Sequence, residues 1–213
     1  MDTLYADRAA AGRALAAALM REELGFGAVA LGLPRGGVPV AAQVAIALGV
    51  PLDVLVVRKL GVPGHEELAM GAVASGDVRV LDERVVRDVG VDDDTIAEVA
   101  RREREEVERQ GALFRGDRPP LDLRDMRAIL IDDGLATGST MLAAVRAVRA
   151  MEAGPVIVAV PVGSAQAVDL LTAEADVVVC LEVPEPFVAV GAWYERFGAV
   201  DDHEVRRLLG AER

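Results

Sequence analysis

The sequence predicts an α/β fold in which helices cover both faces of a parallel sheet. Three observations carry this. Five short runs are largely apolar on successive residues (28–33, 52–57, 128–132, 156–162 and 177–181), the pattern of strands buried on both faces. Helix-compatible stretches separate most of them, which places the strands in crossover units. The chain has 213 residues, 52% of them apolar, enough for one α/β domain with a full core and too many for a disordered chain.

The elements follow in order. Residues 6–24 read as an amphipathic helix with Leu15 and Leu19 on one face. Its Ala- and Arg-rich character resembles a transit peptide, but Asp2, Asp7, Glu22 and Glu23 argue for a plain helix. The first strand, 28–33, runs into a loop opened by Gly36 and Gly37, and a helix continues to Leu48. Gly49 and Pro51 stop that helix. The second strand, 52–57, ends in Arg58 and Lys59, and a Gly/Pro-rich loop holds Gly61, Pro63 and Gly64. Residues 70–74 and 78–81 read as a hairpin across Ser75, Gly76 and Asp77. The charged stretch 92–110 reads as a helix capped by Asp93 or Asp94, with Ile96, Val99 and Val107 on a narrow apolar face and its charges solvated. The third strand, 128–132, precedes a helix over 139–153 that Gly154 and Pro155 end. Strands at 156–162 and 177–181 flank a short helix at 164–172, and a last helix begins at Asp201. The sequence shows neither an internal repeat nor a second domain.

Composition excludes several classes of function. The formal charge of −12 argues against a general nucleic-acid surface, which would carry a basic stripe. No run of 18 apolar residues exists to span a membrane. The single cysteine, Cys180, lies in an apolar run and reads as a small buried hydrophobe. With no disulfide possible inside a monomer, a reducing, cytoplasmic setting is expected. The two histidines, His65 and His203, are too isolated in sequence to suggest a nucleophilic triad or a metal-ligand cluster.

The most informative segment is Ile129 to Met141, ILIDDGLATGSTM. An apolar strand ends in Asp132 and Asp133, at the carboxyl edge where open α/β sheets bind ligands. Two adjacent carboxylates repel unless something cationic or hydroxylic satisfies them, and a vicinal diol with Mg²⁺ would do so. The small residues Gly134, Ala136, Gly138 and Ser139 let backbone approach an anion, while Thr137, Ser139 and Thr140 offer hydroxyls. An ordinary strand-to-helix turn needs neither both acids nor both glycines. The adjacent acids also faintly echo the Asp-x-Asp-Gly motif of haloacid-dehalogenase-type phosphatases, but that motif spaces its acids by one and sits near the N-terminus.

This segment resembles the phosphoribosyl pyrophosphate (PRPP) motif of the type I phosphoribosyltransferases: four apolar residues, two acids, two variable residues, a small residue, Thr-Gly, one variable residue and Thr. Three further segments resemble the family in the right order. GLPRGGVPV, from Gly32, is similar to its pyrophosphate loop; this implies that Arg35, Gly36 and Gly37 face the diphosphate and that the Pro34–Arg35 peptide is cis. VRKLGVPGHEELAM, from Val57, is similar to its mobile active-site loop, with Arg58 and Lys59 neutralising the leaving pyrophosphate. LEVPEPFVAVGAWYERF, from Leu181, carries four of the seven aromatics and resembles the hood of the hypoxanthine-type branch. There Phe187 and Val188 would meet the base, Glu195 would approach magnesium, and Trp193, Tyr194 and Phe197 would form hood core.

The resemblance therefore implies one phosphoribosyltransferase-like domain over 1–213, with a core of about 26–181 and a small hood subdomain of about 182–200 plus the N-terminal segment. It implies transfer of 5-phosphoribosyl from PRPP to a nitrogenous base, as in nucleotide salvage, with Mg²⁺ as cofactor and release of pyrophosphate. Asp132, Asp133, Arg35 and Lys59 would be catalytic, and Ala136, Thr137, Gly138, Ser139 and Thr140 would hold the 5-phosphate. A PRPP-binding regulator without turnover uses the same residues. Ala136 stands where the 6-oxopurine enzymes carry an acid, and the strand ending Val-Pro-Val-Gly lacks their lysine, so the likeness does not extend to a hypoxanthine or guanine acceptor. Family members are often homo-oligomers. A nucleic-acid-binding regulator on this fold would need a basic face or an added domain.

Overall fold

The structure, a computed structural model, describes residues 3–22 and 27–210. Its centre is a five-stranded parallel sheet built from β1 (Ala28–Gly32), β2 (Leu52–Val54), β6 (Arg127–Ile131), β7 (Val156–Val162) and β8 (Val177–Glu182), in the order β2-β1-β6-β7-β8. Strand alternation divides the core between its two faces. Ala30, Ile129, Ile131 and Ile157 face one side, where α1 (Arg8–Leu19) and α2 (Gly37–Leu48) pack through Leu15, Leu19, Val40 and Val44. Leu31, Leu130, Val156 and Val158 face the other, against α5 (Ser139–Ala150) and α6 (Ala165–Thr172). The expected parallel sheet with helices on both faces is the observed fold.

A second sheet is legible only in part. Residues 52–57 do not form one strand. Backbone pairing in the parallel sheet ends at Val54, and the chain turns into β3 (Val57–Val62), which pairs antiparallel with β4 (His65–Ala74), itself paired with β5 (Val78–Leu81). Arg58 and Lys59 thus lie within a strand, not at its end. The expected Gly/Pro loop is the tip of a hairpin turning at Pro63 and Gly64, with irregular register about Gly61. A largely apolar run hides such a change of sheet, because both halves share the same strand chemistry.

The charged segment forms α4 (Asp93–Arg115), longer than expected, and Asp92 is the residue that caps it, accepting from the Thr95 N–H. Ile96, Val99 and Val107 are buried as the spacing predicts. Together with Phe114 and residues of α7 (Asp202–Leu209), they cover the antiparallel sheet. The short helix α3 (Glu83–Val89) has no counterpart among the expected elements; it is two turns long and fully buries no residue, with only Val85 and Val86 packed half-buried on the core, too little periodicity to read. α5 ends at Ala150, earlier than expected, and α1 ends at Leu19; Leu24, expected in that helix, lies outside the described residues.

Residues preceding α1 run beside the segment after β8. Tyr5 bridges to Tyr194, the Glu195 N–H donates to the Tyr5 carbonyl at 2.9 Å, and Arg196 pairs with Asp7 at 2.6 Å. Ala11, Val162, Trp193 and Tyr194 form a small apolar cluster there, with Tyr5, Phe187 and Val190 packed on it. Among the described residues no helix is long and apolar enough to cross a membrane.

Candidate active site

The acidic pair leaves β6 at the carboxyl edge of the sheet, between the N-termini of two helices. α2 begins at Gly37 and α5 at Ser139; each has glycine at the cap position and no side-chain cap hydrogen bond. Their first-turn N–H groups and aligned peptide dipoles favour negative charge. Gly138 adopts φ 74°, a left-handed conformation that turns the 136–140 loop into α5 without Cβ strain. The loop is held from below: the Leu135 N–H donates to the Val162 carbonyl at 2.9 Å, and Ser164 Oγ donates to the Ala136 carbonyl at 2.6 Å. Ala136, Thr137 and Thr140 are exposed above it, and Thr137 Oγ1 lies 3.0 Å from Ser139 Oγ.

The Pro34–Arg35 peptide is cis, as the resemblance implies. The turn that follows sits directly on the acids. A Cβ at Gly36 would fall 2.1 Å from Asp133 Oδ2, and one at Gly37 would fall 2.4 Å from the Ile131 carbonyl oxygen. Here glycine is required by close approach, not by dihedral angle. Gly134 differs from its expected role: a Cβ there would meet Val190 at 2.6 Å, so its small size serves packing under the 190–193 turn.

Burial pushes both carboxyls above the usual carboxylate range. Asp132 is raised well above it, first by desolvation and then by the neighbouring charge of Asp133. Asp133 is raised by desolvation and drawn back by Arg8, whose Nε lies 2.8 Å from Asp133 Oδ2. The Asp133 N–H donates to Asp132 Oδ1 at 2.8 Å, which fixes the two groups relative to each other. Tyr194 donates its hydroxyl to the Asp133 carbonyl at 2.6 Å, and burial, with Asp133 beside it, raises its pKa.

The basic residues separate. Lys59 reaches across from β3, its Nζ 3.4 Å from Ser139 Oγ. Pro34, Arg58, Lys59 and Thr140 line one cavity of about 480 Å³, which also touches Val99, Arg102 and Glu103 of α4. Part of the charged helix expected to be merely solvated thus borders this cavity, which meets the 136–140 loop at Thr140 and is not lined by Asp132 or Asp133. Arg58 is held by Glu103 at 3.0 Å. Arg35 points elsewhere: its Nε lies 3.1 Å from Asp202 of α7, both side chains largely exposed.

The remaining sequence-predicted residues are less closely gathered. Phe187 is half-buried against the small aromatic cluster, and Val188 is 67% exposed. Glu195 is exposed, and the described residues contain no group of three or more His, Cys, Asp or Glu side chains able to hold a metal. Trp193 and Tyr194 are core, as expected, but Phe197 is not: it is 37% exposed, and the Arg8 guanidinium lies 3.8 Å from its ring centroid. His65 is exposed at the hairpin tip. Cys180 is half-buried, and burial raises its thiol to about 11.

Sequence reasoning missed Arg8 and Tyr194 as neighbours of the acids. A signal existed for Arg8. It shares the helix face of Ala11, Leu15 and Leu19, at spacings of three and four, so a charge falls on the buried stripe of α1.

This fold and site define an α/β protein with an acidic pair at the carboxyl edge of its parallel sheet, between two helix N-termini. The phosphoribosyl transferase domain model matches residues 2–195. The chain belongs to the type I phosphoribosyltransferase family. It is 46% identical over 206 residues, 97% of its length, to "Putative phosphoribosyl transferase Rv0571c" of Mycobacterium tuberculosis, and it spans 46% of that relative. It is 44% identical to TT1426 of Thermus thermophilus, whose crystal structure matches with a TM-score of 0.88 over 96% of this chain and 97% of that one. A hypothetical protein from Neisseria gonorrhoeae, solved with bound ppGpp, shares the fold at a TM-score of 0.51 and 16% identity, covering 100% of this chain and 96% of that one.

Proposed function

We propose that the chain transfers a 5-phosphoribosyl group from magnesium-bound PRPP to a nitrogenous base and releases pyrophosphate. One observation carries the reading: a half-buried acidic pair lies between two helix N-termini that begin at glycine caps, with a glycine turn seated on it. Carboxylates accept from a ribose diol, while helix N-termini attract phosphate. Asp132 and Asp133 take the ribose hydroxyls. Residues Ala136 to Thr140 take the 5-phosphate. The turn at Gly36 and Gly37 faces the diphosphate, with Arg58 and Lys59 across the cavity and Arg35 recruited from Asp202.

Magnesium enters as part of the substrate. It prefers to keep waters and phosphate oxygens with few protein carboxylates, which suits a site without a metal cage among the described residues. The transition state carries positive charge on the ribose and growing negative charge on pyrophosphate. The protein's work is then positional and electrostatic. Lys59 and Arg58 stabilise the leaving group, and the acidic pair orients the ring and favours its positive charge. Phe187 and Val188 border the acceptor, and the role this reaction would serve is nucleotide salvage in the cytoplasm.

The test is pyrophosphate release on mixing the protein with PRPP, Mg²⁺ and a panel of nucleobases. Turnover with one base supports the transferase. Saturable PRPP binding without release under every base supports a PRPP-binding regulator, and no binding overturns both.

A further inference from the structure

Arg8 occupies a node that no motif of the sequence assigns. Its Nε holds Asp133 Oδ2 at 2.8 Å, its Nη1 donates to the Gly198 carbonyl at 2.7 Å, and its guanidinium stacks on the Phe197 ring at 3.8 Å. The Arg8 and Asp133 side chains are 12% and 14% exposed, so their ion pair is sheltered from water, while Phe197 and Gly198 reach solvent. Phe197 is in turn stacked on Tyr194, centroids 4.9 Å apart, and Tyr194 donates to the Asp133 carbonyl at 2.6 Å. The circuit closes on itself: α1, the end of β6 and residues 194–198 meet at one guanidinium.

We propose that Arg8 is a positioning residue for Asp133, holding that carboxylate against the Gly36 turn and tying it to the 194–198 segment so that the ribose site and the wall beside it form one rigid unit. The proposal rests on the phosphoribosyl reading of the site. Arginine suits the task because its planar fork can donate in two directions while its face stacks on an aromatic ring. Its bond takes one carboxylate oxygen, so Asp133 keeps acceptor capacity for a hydroxyl. A lysine could supply charge but not the fork.

The test uses the full chain with Arg8→Gln and Arg8→Lys, compared with wild type for Mg-PRPP affinity, kcat and KM per folded molecule, and for thermal midpoint. Misplacement of a positioned group by about 1 Å lowers turnover by about 10²-fold. Arg8→Gln is expected to lose turnover on that scale and to weaken PRPP binding, and Arg8→Lys to recover part of both. A merely structural role would lower the midpoint and leave the constants per folded molecule unchanged. That outcome overturns the proposal, as does Arg8→Gln within about twofold of wild type. A crystal structure of Arg8→Gln tests the same role independently of activity. Asp133 should leave its place on the Gly36 turn and residues 194–198 should shift; if both stay, Arg8 does not position them. If wild type fails to bind PRPP while Asp133 still moves in the variant, the functional reading fails and the positioning role stands.

Discussion

Lys59 Nζ lies 3.4 Å from Ser139 Oγ, so the antiparallel sheet delivers a cation to the N-terminus of α5. The contact joins two elements far apart in the chain at a half-buried residue beside the exposed Thr140. Replacing Lys59 with Met keeps the apolar stem and removes the charge. Since an oriented charge acting on a leaving group is commonly worth about 10²-fold, kcat should fall on that scale with little change in thermal midpoint. Steady-state pyrophosphate release checks it; an unchanged kcat would remove Lys59 from the chemistry.

Asp133→Asn should lower turnover far more than stability. Asparagine retains the shape and an acceptor oxygen, but it loses the charge that meets Arg8 and the ribose. Truncating one partner of a sheltered pair has its own cost, of about 1–3 kcal/mol for an unmatched polar group, so specific activity must be normalised to folded protein. If the variant unfolds yet keeps its activity per folded molecule, the diol-binding role is wrong.

Asp132→Asn should behave differently in stability. Desolvation and the adjacent Asp133 raise the Asp132 carboxyl in the folded state above its unfolded value. Between those two values the folded state holds more protons, so stability falls as pH rises through the window. Asparagine escapes that cost and its oxygen can still accept the Asp133 N–H. The variant should therefore melt higher than wild type at pH 8, by about 2–4 °C for each kcal/mol recovered, and the gain should shrink as pH falls from the raised value and vanish only below the unfolded-state value. Melting curves across pH check the sign; a variant less stable at pH 8 refutes it. PRPP binding should also strengthen with pH over the same window, as the pair becomes fully ionised.

Arg35 is parked on Asp202, 3.1 Å away, in a largely exposed pair. Such pairs hold by about 0.2–1 kcal/mol, little enough for a diphosphate to outcompete. Asp202→Asn should release the arginine and tighten pyrophosphate binding by a few-fold, measured by calorimetry. Arg35→Ala should weaken it in either background. Equal affinity in all four proteins would show that Arg35 never turns toward the site.

The sequence announced the parallel sheet and the acidic pair because both are local: a strand buried on both faces is a contiguous apolar run, and the PRPP-like motif lies within Ile129 to Thr140. It did not announce the split at Leu55, where one apolar run serves two sheets. Nor did it place the cations. Arg35, Arg58 and Lys59 are close in the chain, yet their directions are chosen by partners distant in sequence: Asp202, Glu103 and Ser139. Tyr194 reads as core and is core, but its hydroxyl finds the Asp133 carbonyl only once the segment after β8 folds back beside Tyr5. Aromatic content was legible; the atom at the end of the ring was not.

Gly36→Ala isolates the close approach of the turn to the acids. The added Cβ would lie 2.1 Å from Asp133 Oδ2 and 2.7 Å from its Cγ, so the carboxylate or the turn must move. Gly36 has φ −60° and ψ −34°, which alanine adopts freely, so backbone preference cannot account for any effect. Overpacking of this kind costs about 1–3 kcal/mol. The melting point should fall accordingly, and PRPP affinity should fall more than pyrophosphate affinity, because the displaced group serves the ribose. A Gly49→Ala control has a different cause: Gly49 sits at φ 65° with open space around it, so its loss of stability would come from backbone strain and leave ligand affinity untouched. If Gly36→Ala matches that control in both readouts, the contact between turn and carboxylate has no part in binding.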